Sequence, residues 1–135
     1  MRVEEEYQDV LQNIEFGVVS AYRNHPALVD HDVARTLEVV MDSYKAEKIG
    51  RPPRPVALSP AEQEMYDAVR GMCEWRLGRA ALGGAVRDAP SIGPDEAVTV
   101  DEILLCLKRL VKSVHFWNRG AGQRGYLDSI VQFIR

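Results

Sequence analysis

At 135 residues and a formal net charge of −3, with 46% hydrophobic and 27% charged residues, the chain is sized and composed for one globular domain with its own core. That balance argues against a disordered polymer and against global attraction to nucleic acid or acidic membranes. No apolar run approaches the ~20 residues of a membrane span, and the acidic start Met1-Arg-Val-Glu-Glu-Glu-Tyr7 is no signal peptide, so a cytoplasmic protein that does not enter membranes is expected.

The apolar residues recur with a helical period nearly everywhere. A first helix over about residues 3–24 would place Val3, Tyr7, Val10, Leu11, Ile14, Val18, Ala21 and Tyr22 on one face, and Asn24-His25-Pro26 would end it. A second, over 31–49, follows Asp30 as N-cap, carries Asp32 in its first turn and buries Val33, Leu37, Val40, Met41 and Tyr44 before Gly50 stops it.

A proline-rich spacer occupies 51–58. The third helix, 60–77, opens on a capping box, Ser59-Pro60-Ala61-Glu62, and buries Met65, Val69, Met72 and Cys73; Gly78 is its expected end. A glycine- and proline-containing loop spans 78–98. A second capping box, Thr99-Val-Asp-Glu102, starts the fourth helix, 100–118, whose core stripe is Ile103, Leu104, Leu107, Leu110, Val111 and Val114. Tyr126, Leu127, Ile130, Val131 and Ile134 define a short fifth helix over 126–134. The predicted fold is therefore all-α: a single domain with a bundle of four main helices and a short C-terminal fifth.

Two of these helices carry apolar residues away from their main stripes. Phe16 and Val19 on the first, and Leu105 and Phe116 on the fourth, mark expected interface positions and suggest a homodimer.

Charge is also uneven. Residues 1–50 hold ten acids against five bases, and residues 101–135 hold three against six. The basic excess surrounds Gly120-Ala-Gly-Gln-Arg-Gly125, which matches G-x-G-x-x-G. It follows a helix rather than a strand, which removes the dinucleotide-binding reading. What remains is an anion cradle in which Gly120 and Gly122 free the backbone, the next helix offers its first N–H groups, and Arg119, Arg124, Lys108 and Lys112 supply charge. The favoured alternative is a tight corner between two helices.

Arg109 and His115 resemble in spacing the Arg-x(4–6)-His motif of HEPN-like helical ribonucleases, and the resemblance implies an RNA-cleaving site at that pair. Leu110 departs from the polar residue usual after that arginine, and six residues along one helix turn the two side chains apart. Asp30-His31-Asp32 does not converge as a metal set. No Glu-x-x-His pair exists, and Cys73 and Cys106 read as buried structural thiols, so no catalytic residue, metal or cofactor is expected. Trp75 and Trp117, with Arg76 and Arg79 nearby, would border one groove if the third and fourth helices packed side by side.

The expected function is that of a non-enzymatic, self-associating interaction or regulatory module. The alternative is an anion- or nucleic-acid-binding protein that uses the basic face of the fourth helix and the turn at 119–125.

Overall fold

The computed structural model describes residues 7–79, 91–118, 120 and 122–132. Among these residues there are five helices and no strand: in order, α1 (Gln8–Asn24), α2 (Asp30–Lys48), α3 (Pro60–Arg76), α4 (Val100–Trp117) and α5 (Gly125–Val131). The all-α bundle of four main helices and a short fifth is thus what the chain forms. Val3 and Ile134, assigned above to the first and last helices, lie outside the described residues.

Local chemistry sets several helix ends. In the α3 capping box the Ser59 N–H donates to Glu62 Oε1 at 3.0 Å and the Glu62 N–H donates to Ser59 Oγ at 3.1 Å. The α4 box repeats this, with the Thr99 N–H donating to Glu102 Oε1 at 2.9 Å and the Glu102 N–H to Thr99 Oγ1 at 3.2 Å. The stops of α2 and α3 are also a matched pair. Gly50 and Gly78 take positive φ (67° and 75°), and each sits in a Schellman closure. The N–H groups of Gly50 and Arg51 reach Glu47 O and Ala46 O, while those of Gly78 and Arg79 reach Trp75 O and Glu74 O.

The main stripes turn inward together. Ile14, Val18, Val33, Leu37, Val40, Met65, Val69, Ile103, Leu107 and Val114 are fully buried in one core, and α1 packs most extensively on α3, as α2 does on α4. Gly17 permits the first of these pairings. A Cβ there would stand 3.0 Å from the Ala68 carbonyl and the Val69 nitrogen on α3, so only glycine lets the two backbones approach this closely.

Two expectations change at this level. Val19 belongs to the core and not to an outer face: α4 and α5 also contact α1, so the arc of α1 that must be apolar is wider than one stripe. In addition, α3 and α4 make no extensive contact and lie across the bundle from each other, so no groove forms between Trp75 and Trp117. Arg76 instead turns inward to pair with Asp9 at 3.3 Å and to reach Asn13 and Glu96 O, while Arg79 crosses to Glu47 in two hydrogen bonds of 2.8 Å each.

Polar tethers hold the helices in register. Arg35 Nη1 donates to both Glu62 carboxylate oxygens (2.8 and 2.9 Å) while its Nη2 donates to Ala57 O, which joins α2 to the start of α3. The buried Tyr44 hydroxyl donates to Glu74 at 2.6 Å, with the Arg70 guanidinium over its ring at 5.2 Å. Among the described residues no helix is long and apolar enough to cross a membrane.

Candidate functional site

At the corner between α4 and α5, two of the amides that open α5 are already taken. Asp30, the first residue of α2 and fully buried, directs its carboxylate at the start of α5. The Tyr126 N–H donates to Asp30 Oδ2 at 2.9 Å and the Leu127 N–H donates to Oδ1 at 3.2 Å. Asp30 therefore caps α5 from a distance and does not cap its own helix, where the Val29 N–H is met by Asp32 Oδ2 at 2.9 Å. Two of the amides at the start of the helix expected to offer its first N–H groups to an anion thus donate to Asp30.

The glycines fit the corner. Gly120 and Gly122 adopt positive φ and are exposed, and a Cβ on Gly125 would meet the Trp117 carbonyl oxygen at 2.6 Å. Arg124 is exposed at the N-cap of α5, and Arg119 lies outside the described residues.

A buried polar chain continues behind the corner. The Tyr126 hydroxyl donates to Glu15 Oε2 at 2.7 Å and ties α5 to α1. Burial raises the Glu15 carboxyl above its ordinary range, against the hydrogen bond from Tyr126, which lowers it. Burial and the neighbouring Glu15 carboxylate push the Tyr126 phenol far up as well.

The outward face of α4 is different. Phe116 is 76% exposed and meets Trp117, itself 43% exposed, edge-to-face with ring centroids 5.8 Å apart. Leu105 is 43% exposed on the same crest, and Phe16 on α1 is 38% exposed. Three of the four expected interface positions are therefore open to solvent, and Val19 is not.

Lys108 and Lys112 lie beside this crest in a groove between α2 and α4 of about 400 Å³, which is also lined by Glu38, Met41, Asp42, Lys45 and Val111. The basic residues named from the sequence thus share their groove with two carboxylates from α2, which no periodicity argument on α4 alone reveals.

The remaining candidates do not converge on a reaction. Arg109 and His115 both face solvent, and His115 Nε2 stands 3.9 Å from Glu38. His25 pairs with Glu64 at 3.4 Å. Cys73 and Cys106 are free and fully buried, and burial pushes the Cys106 thiol up to about 12. Among the described residues no group of three histidine, cysteine or acidic side chains is placed to hold a metal ion. In comparison with known proteins, the chain matches no family model, no curated protein and no solved structure.

Proposed function

We propose that this protein is a non-enzymatic helical interaction module that associates with a second copy through the C-terminal end of α4. The observation that carries this reading is the Phe116–Trp117 pair, one aromatic ring left largely in water and the other nearly half so, at the end of a helix whose other face fills the core. An exposed aromatic pair is an apolar feature of the kind that marks contact surfaces, and Leu105 lies on the same side of α4 three turns earlier. Symmetry favours an axis near Phe116. An antiparallel pairing centred midway between Leu105 and Phe116 would set Arg109 against the second copy's Lys112, a like-charge contact that costs binding energy.

Sedimentation of the purified chain is expected to show a dimer at micromolar concentration. Burying one phenylalanine contributes about 2 kcal/mol, so Phe116→Glu should weaken association by roughly thirtyfold or more. A monomer at all concentrations, unchanged by Phe116→Glu and by Phe16→Glu, would exclude self-association.

A further inference from the structure

We infer that the groove between α2 and α4 is a docking site for an amphipathic helix of a partner protein, one with an apolar stripe, an acidic flank and a basic flank. The inference rests on the interaction-module reading above but not on self-association, because none of Leu105, Phe116 and Trp117 lines the groove.

The groove is framed by charge. Its two walls run antiparallel, since Lys48 near the end of α2 pairs with Asp101 at the start of α4, and Glu38 earlier in α2 stands 3.9 Å from His115 near the end of α4. Between these two pairs the floor is Met41 and Val111, both only partly buried. The α2 wall presents Glu38 and Asp42, with Lys45 at its Lys48 end, and the α4 wall presents Lys108 and Lys112 one turn apart.

The α4 lysines face the α2 carboxylates here without meeting them. Among the described residues neither Lys108 nor Lys112 is ion-paired with Glu38 or Asp42, although all four line one groove. The space between them has an apolar bottom, Met41 and Val111, with lysines on one side and carboxylates on the other. An inserted helix satisfies all three features at once. Its apolar stripe covers Met41 and Val111, its acidic flank meets the lysines, and its basic flank meets the carboxylates. This is the charge logic by which flanking residues select partners in helical bundles. The lining runs from Glu38 to Lys45 along α2, about 10 Å at 1.5 Å per residue, which sets the contacted stretch of the docked helix at about two turns.

The same geometry disfavours a polyanion, since a nucleic-acid backbone laid against Lys108 and Lys112 would also lie against Glu38 and Asp42.

The test uses the full chain and three synthetic helical peptides with the same leucine stripe. One has an acidic and a basic flank, one has two acidic flanks, and one has two basic flanks. Fluorescence anisotropy should show the mixed-flank peptide binding about tenfold tighter than either of the others. The double change Lys108→Glu with Lys112→Glu makes both walls acidic. It should move the preference to the peptide with two basic flanks, a reversal that a merely unfolded variant cannot produce. Equal binding of the three peptides, no binding, or tightest binding of the doubly acidic peptide overturns the inference. Displacement of the mixed peptide by a single-stranded oligonucleotide, with a steep dependence on salt, overturns it in favour of a nucleic-acid surface. Self-association is read separately by sedimentation without peptide. A dimer that survives the double change while the peptide preference fails leaves the proposed function standing and removes this inference alone.

Discussion

Asp30 is a buried carboxylate in the first turn of α2, and it does its work on another helix. It receives the Tyr126 and Leu127 amides ninety-six and ninety-seven residues away, and so satisfies two of the donors that open α5. Asp30→Ala would leave both amides buried and unpaired, at a cost of about 3 kcal/mol. Hydrogen exchange should then speed up first at Tyr126 and Leu127, while the α1–α3 amides stay protected, and unchanged exchange at these two positions would contradict the assigned role. An aspartate before an apolar helical pattern reads locally as an N-cap of that helix. Only the folded chain shows that its oxygens point to a segment near the far end of the sequence, because side-chain direction at a helix start depends on what packs there.

At the scale of the element, the ends of α3 and α4 follow from short-range chemistry and were legible as capping boxes. Glu62 adds a tertiary contact to its cap. Burial by itself would raise its pKa, but hydrogen bonds from the Ser59 amide and from Arg35 outweigh burial and hold the carboxyl below its ordinary value of 4.5. A carboxylate with a depressed folded-state pKa contributes stability that is fully present above the unfolded value and is lost as pH falls through the folded one. Chemical denaturation should therefore show the chain losing stability as pH falls below about 4.5, and Glu62→Gln should flatten that dependence while lowering stability at neutral pH by about 1 kcal/mol. An unaltered pH profile in the variant would rule out Glu62 as a contributor. Gly17 belongs to this scale too. As a mid-helix glycine it reads from the sequence as a weak point, and its reason, the close backbone of α3, is visible only when the two helices are placed together.

For the molecule as a whole, the arrangement of helices decides which exposed features share a surface. The placement of α3 across the bundle from α4 dissolves the tryptophan groove, and the antiparallel packing of α2 on α4 creates another, in which Lys108 and Lys112 face Glu38 and Asp42. One core also protects both thiols. Cys73 and Cys106 lie fully buried on α3 and α4, and burial raises both thiol pKa values, that of Cys106 to about 12. A thiol-reactive reagent at mildly alkaline pH should label neither cysteine in the native protein and both after denaturation. Its rate should follow global unfolding, and rapid native labelling of either thiol would contradict the buried placement.

The sequence by itself determined the helices, their capping boxes and glycine stops, and most of the core, since a 3.6-residue apolar period and local hydrogen-bonding residues act within a few positions of one another. It also placed Leu105 and Phe116 off the core stripe of α4, a matter of angle on one helix. The tertiary structure alone decided the burial of Val19, the reach of Asp30 to α5, the inward turn of Arg76 and the placing of the α4 lysines in one groove with carboxylates from α2. Each of these depends on which helix lies alongside which, and that is set by packing among residues far apart in the chain.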